Sequence, residues 1–146
     1  MDVPDYVPVK DVQESCRALG LSDWTQLSSA EIPLEEARIV QDAIGAEAAQ
    51  IPTEQFRQGL EVELEHGLQF SDANVTNNHP LLTGKIVLAH LKEMLDYYMR
   101  LEVAELEGDM LKARIAGNEA KLATLYKRLL AARAELAQAE AAALSS

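Results

Sequence analysis

Glu61-Val62-Glu63-Leu64-Glu65-His66-Gly67, then Asn74-Val75-Thr76-Asn77-Asn78, then Leu88-Ala89-His90-Leu91-Lys92-Glu93-Met94-Leu95-Asp96-Tyr97-Tyr98-Met99-Arg100 read as helix, turn and helix, and that reading decides the fold class. Phe56, Leu60 and Leu64, with Val62, form an apolar stripe at helical spacing behind the start signal Ile51-Pro52-Thr53-Glu54, which predicts a helix from Thr53 to His66. Ser71, Asp72, Asn74, Thr76, Asn77 and Asn78 are residues whose side chains bond nearby backbone, so the stretch from Gly67 to Pro80 reads as a loop with local order, and Asn78 can cap the helix that begins at Pro80.

Upstream the same logic gives two more helices. Val12, Cys16 and Leu19 mark one over Lys10 to Leu19, stopped by Gly20. Pro33 opens another, carried by Leu34, Ala37, Ile39, Val40, Ala43 and Ile44 and ended by Gly45. Between them Trp24 and Leu27 fit one face of a short capped turn, with Trp24 as a core anchor. Met1 to Val9, with Pro4 and Pro8, reads as an extended arm suited to assembly rather than to the core.

Downstream the period changes. Leu111, Ile115, Asn118, Leu122, Leu125, Leu129, Ala132, Leu136, Ala139 and Ala143 step by fours and threes, a heptad seam. Extended backward it passes through Gly108, Ala104, Leu101, Tyr97, Met94 and His90, so one continuous helix from Pro80 is possible, with Gly108 and Gly117 as its weak points. The expectation is an all-α protein. It has an arm (1–9), an acidic domain of antiparallel helices (10–108), and a long heptad, coiled-coil C-terminal helix (109–146).

The seam needs a partner, and Leu111, Ile115, Asn118, Leu122, Leu125, Leu129 and Leu136 are its oligomerisation residues. In a parallel homodimer Arg114 would face Glu119, but Arg128 would face Arg133 and Glu135 would face Glu140, which repel. An antiparallel pair, a higher-order bundle, docking onto another protein, and folding back on its own domain stay open. Asn118 is placed to fix register.

Charge narrows the partners. From Leu111 on, six basic residues stand against three acidic, a net of +3, so the total of −11 leaves −14 for residues 1–110. Such a body repels a phosphate backbone, which excludes direct nucleic-acid binding by the acidic domain. No stretch approaches the roughly 20 apolar residues of a membrane span, and Met1-Asp2-Val3-Pro4-Asp5-Tyr6 lacks a signal-peptide pattern. The expected location is cytoplasmic or virion-associated, without a membrane partner. Cys16 is the sole cysteine, which leaves no internal disulfide and suits a buried apolar position.

Glu54-Gln55-Phe56-Arg57-Gln58-Gly59-Leu60-Glu61-Val62-Glu63-Leu64-Glu65-His66-Gly67, Asn74-Val75-Thr76-Asn77-Asn78-His79-Pro80-Leu81-Leu82-Thr83-Gly84-Lys85-Ile86, Ala89-His90-Leu91-Lys92-Glu93 and Asp96-Tyr97-Tyr98-Met99-Arg100-Leu101 resemble a family of small bacterial and phage proteins catalogued only as a domain of unknown function. The resemblance covers about residues 46–105 and implies no activity. Members commonly have a proline before Asp-Tyr-Tyr; Leu95 stands here, which favours an unbroken helix.

The chemistry to weigh is histidine plus carboxylate. Glu63 and His66 are three apart on one helix face, and His90 and Glu93 repeat the spacing on the next. Antiparallel packing could join Glu63, His66, His90 and Glu93 into a site for zinc, iron or manganese, with Asp96 and Tyr97 behind the ligands. In the structural alternative His66 sits at a helix end that favours a cation, and His90 packs beside Tyr97. Glu61, Glu63 and Glu65 alternate and so point apart, poor geometry for paired acid and base work. Thr83-Gly84-Lys85 lacks the upstream glycine and strand of a phosphate loop. Two function classes remain. One is a non-enzymatic structural or assembly protein, a homo-oligomer or hetero-complex through its C-terminal helix inside a larger particle such as a phage virion, with no cofactor. The alternative is a small protein holding a divalent transition metal for redox or hydrolytic chemistry.

Overall fold

The computed structural model describes residues 6–145, and among them the only regular elements are helices. They are α1 (Val9–Leu19), α2 (Leu34–Ile44), α3 (Thr53–Gln69), α4 (Pro80–Glu93), α5 (Tyr97–Ile115) and α6 (Glu119–Ser145), with three-residue 3-10 turns at Trp24–Gln26, Ala48–Gln50 and Ser71–Ala73. The all-α expectation holds. The chain forms two units that divide between Lys92 and Glu93, ahead of the 108/109 boundary that charge and period suggested.

In the first unit α1 ends at Gly20, whose φ of 74° is left-handed and lets the N–H groups of Gly20 and Leu21 reach back to the carbonyls of Arg17 and Cys16. Val12 and Cys16 are buried on the inner face, and burial pushes the Cys16 thiol pKa up, as expected of a packing residue. Trp24 is fully buried, and its indole Nε1 donates to Glu36 Oε2 at 2.8 Å. Asp23 accepts from the Thr25 N–H and hydroxyl, and the hydroxyl bond holds its carboxyl below the usual range. On α2, Ala37, Val40 and Gln41 are buried. The Gln41 amide donates to the carbonyls of Ala48 and Ile51, tying α2 to the turn that leads into α3. Phe56, Leu60 and Leu64 of α3, Val87 and Leu91 of α4, and Ile32 and Ala48 between the helices are buried with them. Gly84 is where α4 meets α2: a Cβ there would stand 2.8 Å from Val40 Cγ1, so close packing, and not phosphate binding, accounts for this glycine.

The arm is less independent than expected. Residues 1–5 lie outside the described residues. From Tyr6 onward the chain is fastened to the loop after α3: Val7 N–H donates to the Val75 carbonyl, Asn77 Nδ2 donates to the Val7 carbonyl at 2.6 Å, and the Tyr6 hydroxyl donates to the Asp72 carbonyl.

The second unit is an antiparallel hairpin of α5 and α6, not the end of one continuous helix. The break after α4 falls at Met94–Asp96 even though Leu95 replaces the proline, so the missing proline did not keep the helix whole. The second break is at Gly117, with φ of 66°. Asn118 N–H bonds the Ala113 carbonyl and Gly117 N–H the Arg114 carbonyl, the left-handed helix end that glycine favours. Asn118 then caps α6, its Oδ1 accepting from Lys121 N–H at 3.0 Å. It is therefore a cap outside both helices rather than a register residue within a seam. Gly108, by contrast, stays inside α5.

Leu106, Ala113, Leu125, Leu129 and Ala132 form the hairpin core, with Val103, Met110 and Leu122 against it. Three of the four charges that would repel in a parallel dimer, Arg128, Arg133 and Glu140, lie by opposite partners here. Arg133 bonds Glu107, Arg128 lies 3.9 Å from Glu102, and Arg100 bonds Glu140 at 2.8 Å. These pairs are exposed and each is worth about 0–1 kcal/mol, but together they match the antiparallel register. The predicted seam thus splits. Leu125 and Leu129 are buried in the hairpin, Leu122 and Leu136 are half-buried, and Leu111, Ile115 and Asn118 are exposed.

Candidate functional site

Two features of the described residues can carry function, one in each unit. The first is a cleft of about 250 Å³ between the end of α3, the 70–76 loop and the start of α4. Its walls are Glu63, His66 and Gly67 of α3, Phe70, Ala73, Asn74, Val75 and Thr76 of the loop, and Thr83 and Ile86 of α4.

Local chemistry fixes the loop. Asn77 and Asn78 take the left-handed conformation at φ 47° and 62°, which asparagine tolerates better than most residues. Asn74 Nδ2 donates to Asn78 Oδ1 at 2.8 Å and to the Gly67 carbonyl at 3.3 Å, and Asn78 Nδ2 donates to the Trp24 carbonyl. Gly67 is needed for this knot, because a Cβ there would collide with Asn78 Oδ1 and stand 2.7 Å from Asn74 Nδ2. Asn78 is thereby occupied, and His79 caps α4 in its place. The His79 carbonyl accepts from Thr83 N–H, and Nδ1 accepts from Leu81 N–H at 3.2 Å, with Pro80 as the first helical residue. With Nδ1 an acceptor, the neutral ring carries its proton on Nε2, which donates to Ser15 Oγ at 3.0 Å. Desolvation lowers the His79 pKa, consistent with a neutral ring.

Of the four predicted metal ligands, Glu63 and His90 come together, with Glu63 Oε1 3.7 Å from His90 Nε2. His66 lines the cleft with Glu63, beside Thr83 and Ile86. Glu93 is the last residue of α4 and falls in the second unit. Among the described residues no group of three or more His, Cys, Asp or Glu side chains is placed to hold a metal ion. Asp96 instead takes Arg100 in a two-bond ion pair, and Tyr97 meets Tyr98 edge-on at 5.2 Å. Glu61 is structural, accepting from Arg57 at 2.6 Å and from Ile32 N–H. Sequence reasoning missed His79, Phe70 and Val75. The Asn-Asn-His-Pro run, ending on a residue that can cap a helix ahead of proline, was the available signal for the first.

The second feature is the outside of the hairpin. Leu111 is 62% exposed, Ile115 79%, Tyr126 51% and Leu130 49%. Turning about 100° per residue from the buried stripes places Leu111 of α5 and Tyr126 and Leu130 of α6 on one flank, the flank of the Glu107–Arg133 and Arg100–Glu140 pairs. The opposite flank carries Glu102–Arg128 and Asp109–Lys112. There Lys112 holds the Asp109 carboxyl below its usual range. No helix among the described residues is long and apolar enough to cross a membrane.

No curated protein and no solved structure matches the chain. One family does match, over residues 12–107, and it is described as a protein of unknown function, DUF5661. The match reaches back into α1, well before residue 46 where the motif resemblance began, and it stops within α5, so α6 lies outside it. Covering well over half of the chain, including most of α1 and all of α2, α3 and α4, it shows that this protein belongs to the DUF5661 family.

Proposed function

We propose that this protein is a non-enzymatic assembly protein, an oligomeric helical subunit of a larger particle, joined to further copies of itself through the α5–α6 hairpin. A phage virion is the particle that the motif resemblance suggests. The observation that carries the reading is the cluster of Leu111, Tyr126 and Leu130 on one flank beside the turn, with Ile115 next to it, on a hairpin whose core is already filled by another stripe. Apolar surface left in water forfeits about 25 cal/mol per Å², and contiguous patches on helices mark interaction faces.

Charge favours a second copy as the occupant. The hairpin unit has nine acidic and seven basic residues, near balance, with both signs paired on each flank, whereas the first unit is strongly acidic. Like hairpins can therefore approach without net repulsion, and two of them would make a four-helix bundle by a two-fold axis. Sedimentation or light scattering tests this. The wild type is expected to be a dimer or larger at micromolar concentration, and Leu111→Ser with Leu130→Ser to be monomeric with unchanged helix content. A monomeric wild type would remove the basis of the proposal.

The contact of Glu63 with His90 favours a second reading, a divalent transition metal held at that pair. Elemental analysis of untagged protein decides it, stoichiometric zinc, iron or manganese supporting this reading and under about a tenth of an equivalent ending it.

A further inference from the structure

The cleft of the first unit has a chemical bias that the assembly reading does not use. Among its lining residues are one carboxylate, Glu63, one imidazole, His66, and no lysine or arginine. Phe70, Val75 and Ile86 supply apolar wall although they are 51%, 57% and 37% exposed, and exposed apolar side chains converging on a concavity are the usual lining of a small-ligand site. The cleft lies between the C-terminal end of α3 and the first turns of α4, whose helix dipoles oppose one another there, so charged groups set the sign of the ligand. The surrounding unit has fifteen acidic and six basic residues, so its field attracts cations and repels anions. The volume, near 250 Å³, is below the range of about 300–1,000 Å³ typical of drug-sized ligands, which limits the occupant to a small molecule.

We propose that the cleft binds a small organic amine with an apolar body, its ammonium group donating to Glu63 and its body lying against Phe70, Val75 and Ile86. Glu63 already meets His90, and a carboxylate has about four lone-pair sites, so the ammonium joins the contacts that Glu63 holds. The site is made by the first unit alone and does not depend on the hairpin or on self-association.

Calorimetry and amide-resonance titration of the full chain test it with three probes of one shape: phenethylamine, phenethyl alcohol and hydrocinnamate. The amine is expected to bind saturably, about tenfold or more tighter than the alcohol, as a charged hydrogen bond implies, with shifts confined to the cleft segments and no binding of the carboxylate. Glu63→Gln should erase the preference for amine over alcohol, and Phe70→Ala should weaken both. The wild-type probe series decides by itself if a variant fails to fold. Equal affinity for amine and alcohol, tighter binding of hydrocinnamate, shifts outside the cleft, absence of saturation, or an amine preference that survives in a folded Glu63→Gln protein would each overturn the proposal.

Discussion

Gly108 and Gly117, replaced one at a time by alanine, should change the stability of the hairpin in opposite directions. Gly108 lies inside α5 with ordinary helical φ, and a Cβ there would meet nothing within 4 Å. Alanine should gain the helix-propensity difference, about 1 kcal/mol, with no steric cost. Gly117 also has open space around it, but its φ of 66° is left-handed, where an L side chain costs about 1–2 kcal/mol. The assay is hydrogen exchange followed by mass spectrometry on the full chain, since amides of α5 and α6 report opening of that unit without requiring the whole protein to unfold as one. Gly108→Ala should slow their exchange about fivefold, and Gly117→Ala should speed it about 5- to 30-fold. In a continuous helix both positions would be helical, and both substitutions would slow exchange alike. Slower exchange in Gly117→Ala therefore refutes the hairpin.

The first unit gives two further expected outcomes. His79 has a folded pKa below the unfolded value of about 6.5, so the unfolded chain binds more protons in the interval between them. Its stabilising contribution is complete above that value and is lost as pH falls towards the folded pKa. Protonation also removes the acceptor at Nδ1 that caps α4, while Asp11 on α1 partly offsets the effect. Melting temperature measured against pH should therefore fall more steeply below about pH 6.5 in the wild type than in His79→Asn, which keeps a neutral cap; parallel curves would contradict the assigned role. Trp24→Phe keeps the buried ring but loses the bond to Glu36, and chemical unfolding should show a loss of about 1.5–3 kcal/mol, whereas a loss below about half a kcal/mol would mean that the bond adds little.

Local signals in the sequence determined most of the first unit. Gly20 as a stop, prolines ahead of α2 and α3, and apolar spacing gave α1, α2 and α3 to within a few residues, because caps and periodicity act over one or two turns. The asparagine-rich loop was legible for the same reason. The acidic balance and the buried nature of Trp24 and Cys16 were equally plain. Tertiary structure decided the rest. Whether the heptad run continues or turns depends on whether Gly117 is helical or left-handed, and both conformations are open to glycine, so only burial against α5 selects between them. That choice turned Asn118 from a seam residue into a cap and divided the leucines between a hairpin core and an exposed flank. The candidate site obeyed the same rule. Spacing put Glu63 with His66 and His90 with Glu93 on their own helices, but how α3 meets α4 is a property of packing, and it brought Glu63 to His90 and set His66 in the cleft with Ile86.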